Sequence, residues 1–231
     1  MNSYEASVDS NTFLFADLAG FTALTEAHGD EHAASLATEF CTRMRARAAD
    51  FEGELIKTIG DAVLVRYESA SSAIEFGLDI LESEGARADF PALRIGMNSG
   101  PAVESEGDWF GSTVNVAARV AAVAAGGEVV LTQATFDQAK ELEDVEFERL
   151  GHRSLRNVSE PVALLRASRK GAQAPDVVVD PVCRMTIADG QWVGSLNFGD
   201  ESYRFCSMEC AQKFAADPET YAGAAGGHEP G

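Results

Sequence analysis

Residues 53–67 read GELIKTIGDAVLVRY, and this stretch decides the fold. Two runs rich in β-branched and apolar residues, GELIKT and AVLVRY, flank the tight turn Ile59-Gly60-Asp61. A glycine-containing turn between two such runs is typical of a β-hairpin. We therefore expect two adjacent antiparallel strands with the Asp61 carboxylate at the hairpin tip.

A second carboxylate ends an earlier strand pattern. The run TFLFAD at residues 12–17 is apolar, ends at Asp17 and is followed by the breaker Gly20, which predicts a buried strand. An aspartate at a strand end or turn is more often a turn former or a helix cap than a metal ligand. Local spacing therefore leaves the roles of Asp17 and Asp61 open.

Helical and strand patterns alternate through residue 167. Apolar residues at intervals of three and four predict helices, and short β-branched runs predict strands. The predicted helices cover about residues 31–51, 71–83 and 112–124 and a short segment from 133; further strands cover 92–100, 128–132, 145–150 and 161–167. Because hairpins accompany the alternation, we expect an α+β or α/β unit with a mixed sheet.

Composition restricts the class of partner. The chain of 231 residues carries 37 acidic and 18 basic residues, a net charge of −19, which disfavours nucleic acid and anionic lipid as partners. The N-terminus has no basic start or apolar stretch, and no run approaches the roughly 20 apolar residues of a membrane span. We expect a cytoplasmic protein that binds neither membrane nor nucleic acid.

The chain divides into two units by composition. The polar, Gly- and Pro-containing segment 168–177 is typical of a linker and separates a first unit, 11–167, from a second, 178–222. Residues 1–10 and the Gly/Ala-rich tail 223–231 are predicted to be disordered. Three of the four cysteines lie in the second unit, and such clustering in a reducing compartment favours metal ligation over a disulfide framework.

Three motifs of the first unit, FADLAGFT, KTIGDA and DWFGSTVNVAAR, occur at residues 15–22, 57–62 and 108–119. Together they resemble the class III adenylate and guanylate cyclase catalytic domain, over about residues 10–167. The resemblance implies a ferredoxin-like fold and a head-to-tail homodimer with each active site at the subunit interface. It also implies that a monomer is inactive.

The resemblance assigns roles to five residues of the catalytic machinery. Asp17 and Asp61 match the metal-binding aspartates, with the backbone carbonyl of Leu18 assisting, and two Mg²⁺ or Mn²⁺ ions are implied. Asn115 matches the residue that orients the ribose, and Arg119 the residue that stabilises charge on the phosphate. Their i,i+4 spacing predicts one helix face.

Base selection is implied at Lys57 and Asp108, which match the family's purine-reading positions. Adenine offers an acceptor at N1 and a donor at its 6-amino group, so a lysine donor and a carboxylate acceptor complement it. Guanylate cyclases of the family usually carry glutamate and cysteine there, so we expect ATP as the substrate. Arg156 stands where a phosphate-binding lysine is usual, and Asn157 replaces a glycine, which puts triphosphate affinity in doubt.

The second unit contains DPVCRM, GDESYRFCSMECAQKF and DPETY at residues 180–185, 199–214 and 217–221. It resembles the YHS domain, a relative of the TRASH metal-binding modules. Cys183, Cys206 and Cys210 would supply three thiolates suited to Cu(I) or Zn²⁺. Two other interpretations remain: the thiols pack in a small apolar core, or two of them form a redox disulfide. Candidates for a fourth ligand are Asp180, Met185, His228 and water.

These observations predict an adenylate cyclase whose activity responds to metal in the second unit. Two alternatives remain. The first is a metal-binding sensor whose cyclase-like unit is a non-catalytic scaffold. The second is a guanylate cyclase.

Overall fold

The structure is a computed structural model that describes residues 10–85, 87, 90–171 and 178–225. The elements of the first unit are β1 Asn11–Leu18, α1 Phe21–His28, α2 Asp30–Asp50, β2 Glu54–Ile59, β3 Ala62–Tyr67, α3 Ala70–Gly85, β4 Leu93–Gly100, β5 Val103–Ser105, β6 Asp108–Phe110, α4 Ser112–Val123, β7 Glu128–Thr132, α5 Gln133–Gln138, β8 Val145–Arg153 and β9 Val162–Arg169. Those of the second unit are β10 Val178–Val179, β11 Thr186–Ile187, β12 Gly194–Phe198, β13 Glu201–Phe205, α6 Met208–Ala216 and α7 Pro218–Ala225.

The first unit is built on a seven-stranded sheet of order β2-β3-β1-β4-β7-β9-β8. Every pairing is antiparallel except β4 with β7, so the predicted mixed sheet is confirmed. The predicted hairpin is confirmed as well: β2 pairs with β3, and Gly60 in the turn has φ 62°, a left-handed conformation that glycine adopts without steric cost.

Residues of β1 alternate between two differently covered faces of the sheet, as side chains of a strand must. Leu14, Ala16 and Leu18 belong to the main core with residues of α1, α2 and α3. Phe13 and Phe15 belong instead to a smaller cluster with residues of α4. By the same alternation Asp17 is on the α4 face. The sheet therefore has a helix-packed main face and a second face that α4 covers in part.

Helix α4 lies unusually close to the sheet because β4 has a glycine below it. A Cβ placed on Gly96 would be 1.9 Å from the backbone nitrogen of Ala121. Beside this contact, the Asn98 side-chain amide donates to the Thr113 carbonyl at 3.1 Å. The buried face of α4 includes Ala117 and Val120. These contacts fix the position of the outward-facing residues of α4 relative to the strands.

Residues 103–110, between the predicted strand 92–100 and the predicted helix 112–124, form a two-stranded ribbon. Strands β5 and β6 pair antiparallel, with Ser105 opposite Asp108. The turn residues Glu106 and Gly107 have φ 54° and 77°. The ribbon lies on the α4 face, where the Trp109 ring is 5.6 Å from that of Phe13. Asp108 is thus held on a strand rather than in a loop.

The second unit shares the core of the first. Its buried residues, among them Cys183, Phe205 and Phe214, lie in one cluster with residues of α1, α2 and β4. A backbone hydrogen bond also joins the two units: the Thr186 N–H donates to the Phe90 carbonyl at 3.0 Å. The second unit therefore packs on the first as part of the same core.

Two predicted boundaries differ from the structure. Strand β9 continues to Arg169, inside the predicted linker 168–177, because Arg169 pairs with Val145 of β8 and its guanidinium contacts Glu75 of α3 at 2.6 Å. Helix α7 continues to Ala225, inside the tail predicted to be disordered. Residues 1–9 and 226–231 lie outside the described residues. Within the described part of the chain, no helix combines the length and apolarity required to cross a bilayer.

Candidate active site and cysteine cluster

Asp17 and Asp61 approach each other because β1 pairs with β3. Asp17 lies opposite Ala62, the first residue after the hairpin tip that carries Asp61. Burial raises the pKa of both carboxyl groups, and the charge of Asp61 contributes to the rise at Asp17. A hydrogen bond from the Leu18 backbone acts in the opposite direction on the pKa of Asp61. Two neighbouring half-buried carboxylates therefore favour the binding of a cation between them.

Arg94 is a member of this site that the sequence analysis missed. It lies opposite Asp17 in the β1–β4 pairing, and its Nε and Nη2 donate to the two Asp17 oxygens at 2.9 Å each. Two parallel hydrogen bonds of this kind fix the orientation of the guanidinium relative to the carboxylate. The available signal was one cationic residue in the otherwise apolar run ALRIGM. Its partner could not be named, because the pairing joins residues 77 positions apart.

Lys57 and Asp108, the predicted base-reading residues, are in direct contact. Lys57 Nζ donates to Asp108 Oδ1 at 2.8 Å and to Oδ2 at 2.6 Å, and it lies 5.9 Å from the centre of the Phe110 ring. The hydrogen bond from Lys57, followed by that from the Trp109 backbone, lowers the pKa of Asp108. The two side chains are thus in direct contact as an ion pair.

Asn115 and Arg119 lie on the side of α4 away from its buried residues; Asn115 is exposed and Arg119 half-buried. Within the described part of the chain, neither side chain has a hydrogen bond or ion pair. Both are therefore available to a ligand. The helix predicted from their spacing is confirmed.

Arg156 lies apart, in the exposed turn between β8 and β9. The neighbouring Asn157 has φ 61°, a left-handed conformation in which asparagine is tolerated better than most residues. The change from the family's usual glycine therefore preserves this turn. Contact between Arg156 and the triphosphate of the substrate stays a prediction.

The predicted residues form three groups on the α4 face of the sheet. The first contains Asp17 and Asp61, the second Lys57 and Asp108, and the third the α4 pair. In the described ranges no hydrogen bond or ion pair joins one group to another. A single chain therefore presents the candidate residues as three separate groups.

The three cysteines of the second unit converge with a histidine of the first. We call this set the Cys3His cluster; its members are His28, Cys183, Cys206 and Cys210, whose potential ligand atoms all lie within 4.8 Å of one another. Cys206 Sγ is 3.4 Å from Cys183 Sγ, 3.9 Å from Cys210 Sγ and 3.7 Å from His28 Nε2. Hydrogen bonds with Cys183 and then with Cys206 lower the pKa of Cys210, whereas hydrogen bonds with Cys206 and then with Cys210 raise the pKa of Cys183. The cluster therefore favours a single thiolate, at Cys210, over three thiolates.

The candidates for a fourth ligand require correction. The Asp180 carboxylate holds the backbone of the cysteine-bearing segments. It accepts hydrogen bonds from the N–H groups of Val182, Cys183 and Cys206 at 2.8, 3.2 and 2.8 Å. Met185 is buried, and its role as a ligand stays a prediction. His228 lies outside the described residues. His28 could not be named as a ligand from the sequence, because it lies 155 positions before Cys183, in the other unit.

The fold and the first site define the class of protein as a nucleotide cyclase domain of class III. Residues 3–164 match the Adenylate and Guanylate cyclase catalytic domain family, and the chain belongs to this family. The match ends before the second unit, so the resemblance of that unit to YHS domains stays a prediction.

Known relatives agree with this assignment. A pH-sensitive adenylate cyclase of Mycobacterium tuberculosis is 38% identical over 167 residues, which are 70% of this chain and 41% of that protein. An adenylate cyclase of Streptomyces griseus is 38% identical over 128 residues, 55% of this chain and 31% of that protein. The chain thus spans less than half the length of these relatives.

Solved structures share the fold. An adenylate cyclase from Trypanosoma brucei, described in its monomeric state, has a TM-score of 0.64 at 20% identity and covers 74% of this chain and 93% of its own. The adenylyl cyclase CyaB from Pseudomonas aeruginosa has a TM-score of 0.59 at 20% identity and covers 72% and 96%.

Proposed function

We propose that the chain is an adenylate cyclase that converts ATP to 3′,5′-cyclic AMP and pyrophosphate at the interface of a head-to-tail homodimer. The observation that carries the proposal is that Asp17 of β1 lies opposite Ala62, next to Asp61 at the β2–β3 hairpin tip, and that Arg94 pairs with Asp17. The donors fit Mg²⁺ or Mn²⁺, because carboxylate and carbonyl oxygens are the ligands that these ions prefer.

The residues of the acidic site would bind and orient the reacting groups. Asp17 and Asp61, with the Leu18 carbonyl, would hold two divalent ions, which when bound lower the pKa of the ribose 3′-hydroxyl and offset charge on the α-phosphate. Arg94 has its charge offset by Asp17 in the free protomer. Once the Asp17 carboxylate binds a divalent ion, the Arg94 guanidinium would be free to pair with a phosphate, for which its fork geometry is suited.

The other two groups would complete the site from the second subunit. Lys57 would donate to adenine N1, and Asp108 would accept from the 6-amino group. Asn115 would hold the ribose, and Arg119 would offset charge that develops on the transferred phosphoryl group. All four act by positioning and electrostatics.

Exposed apolar side chains beside these groups support a dimer. Ile59, next to the hairpin tip, is 50% exposed, and Phe110, beside Lys57, is 53% exposed. Large apolar side chains clustered around polar groups are typical of an interface. A second subunit would cover them while bringing its α4 face to the acidic site.

A cyclase assay with purified full-length protein tests the proposal. ATP or GTP is supplied with Mn²⁺ or Mg²⁺, and the cyclic product is measured for the wild type, Asp17→Ala and Glu160→Gln, an exposed acid outside the site. We expect cyclic AMP from the wild type and the Glu160 variant, and a loss of about 100-fold or more for Asp17→Ala. Activity that survives in Asp17→Ala contradicts the mechanism, and a preference for GTP contradicts the substrate.

We also propose that metal in the second unit modulates the cyclase. The support is the shared core, which joins the cysteine-bearing segments to helices α1 and α2. Cyclase activity that is the same before and after chelation, and is insensitive to Cys206→Ser with Cys210→Ser, would exclude this coupling.

A further inference from the structure

Four potential ligand atoms meet at the boundary of the two units, and the three distances from Cys206 Sγ are close to those of a tetrahedral metal site. At ordinary bond lengths, zinc separates two ligand sulfurs by about 3.8 Å and a sulfur from a nitrogen by about 3.6 Å. The Cys206 sulfur is 3.4 and 3.9 Å from its two sulfur neighbours and 3.7 Å from His28 Nε2. The four side chains can therefore supply all four ligands of a tetrahedral site.

The surroundings hold the sulfur ligands in place. The fully buried Asp180 carboxylate binds the backbone N–H groups of Cys183 and Cys206. Ser207 accepts from the Cys210 N–H at 3.1 Å as the cap of α6. Hydrogen bonds of this kind orient ligand-bearing segments before a metal arrives. The cluster is thus organised by groups that are not themselves ligands.

We propose that the Cys3His cluster is a zinc site in which His28, from the cyclase domain, is the fourth ligand. Three thiolates and one imidazole are a common donor set for structural zinc. The site would tie the second unit to the end of α1.

Helix α1 links this site to the proposed catalytic metals. It runs from Phe21 to His28, so one end carries the zinc ligand and the other begins just after Asp17 and Leu18. A second contact lies at the start of α1. The side chain of Arg184, next to Cys183, packs on Gly20, where a Cβ would lie 2.5 Å from Arg184 Cγ. Zinc at the cluster would therefore fix the segment that carries Asp17.

The binding test uses the reduced, chelator-treated full-length protein, with Zn²⁺ affinity measured by competition with a chromophoric chelator and with Co²⁺ as the spectroscopic probe. We expect one tight Zn²⁺ per chain and a Co²⁺ spectrum of tetrahedral thiolate type. His28→Ala should weaken Zn²⁺ binding by about tenfold or more, since even residues behind the ligands contribute that much, and should change the Co²⁺ bands. His32→Ala is the matched control, because its ring lies 5.6 Å from that of His28 and outside the cluster.

Three results would overturn the zinc site. The first is equal Zn²⁺ affinity and equal Co²⁺ spectra for the wild type and His28→Ala. The second is tight binding of Cu(I) with no measurable Zn²⁺ binding. The third is a disulfide between Cys183 and Cys206 that forms in air at the same rate with and without Zn²⁺.

The link to the acidic site rests on the proposed cyclase function and is tested separately by Mn²⁺ binding. We expect Zn²⁺ loading of the wild type to change the Mn²⁺ affinity at Asp17 and Asp61 severalfold, measured by electron paramagnetic resonance. Zn²⁺-saturated His28→Ala should show no such change. Equal Mn²⁺ affinity in the zinc-free and zinc-loaded wild type would overturn the link, whereas a failure of the cyclase assay would leave the Zn²⁺ results standing.

Discussion

At the scale of single residues, the site depends on charges that compensate each other before a ligand binds. Asp17 pairs with Arg94, and Lys57 pairs with Asp108. Pairs of this kind keep the cost of a partly buried charge low and leave the groups poised for exchange with a nucleotide. Two predictions belong to this scale.

Proton competition should govern metal binding at Asp17 and Asp61. Burial raises the pKa of both carboxyl groups, so protons compete with Mn²⁺ at higher pH than for ordinary carboxylates. Mn²⁺ affinity should therefore fall as the pH falls through these raised pKa values and become constant above them. A Mn²⁺ titration by electron paramagnetic resonance at several pH values measures this. Glu160→Gln should leave the profile unchanged, and a flat profile in the wild type would refute the prediction.

Lys57 and Asp108 should determine the preference of the enzyme for ATP over GTP. Lys57→Glu combined with Asp108→Cys presents an acceptor and a thiol to the base, so guanine gains bonds that adenine loses. The ratio of kcat/KM for ATP to that for GTP should fall by about tenfold or more, since each mismatched buried pair costs about 1–3 kcal/mol. Glu104→Gln, on the neighbouring ribbon strand, is the control. An unchanged ratio in the double variant would show that these residues do not read the base.

At the scale of elements, the sequence predicted most strands and helices of the first unit, but it predicted neither helix α1 nor the β5–β6 ribbon nor the partners of the strands. The hairpin around Gly60 and the helix carrying Asn115 have local signatures, namely a turn flanked by strand patterns and an apolar period. The pairing of Asp17 with Arg94 depends on the register of β1 against β4, which no local pattern encodes. The β5–β6 ribbon was missed because each of its strands has only three residues.

The fit of α4 on the sheet should be sensitive to a single methyl group. Gly96→Ala would press a Cβ against the backbone of Ala121, which cannot rotate away, and should cost about 1–3 kcal/mol or more. It should also lower cyclase activity by moving Asn115 and Arg119. Gly77→Ala is the matched control, because its Cβ would meet the flexible end of Met97 at 2.4 Å. Urea denaturation measures both variants, and equal midpoints would contradict this packing argument.

At the scale of the whole molecule, the two units behave as one body because they share a core. The sequence predicted two units on composition, with a boundary at residue 168. It could not predict that Phe205 and Phe214 would join the core of the cyclase domain, or that His28 would meet the cysteines. Such contacts depend on how one unit packs on the other, which residue spacing within either unit does not record.

Unfolding should therefore be a single cooperative transition. Phe214 is 1% exposed and contacts the rings of Tyr203, Phe205 and Tyr221. Phe214→Ala should cost about 3–5 kcal/mol and lower the Tm of the whole protein rather than melt the second unit alone. Differential scanning calorimetry distinguishes the two cases. Two separate transitions in the wild type would contradict a shared core.

The most direct test of the account mixes two inactive variants, Asp17→Asn and Arg119→Ala. In a head-to-tail dimer, one chain supplies the acidic site and the other supplies α4, so a mixed dimer contains one intact site and one doubly altered site. With equal amounts and random pairing, half of the dimers are mixed, and cyclic AMP production should reach about one quarter of the wild-type rate. Production no greater than the sum of the two variants measured alone would contradict a catalytic site shared between subunits.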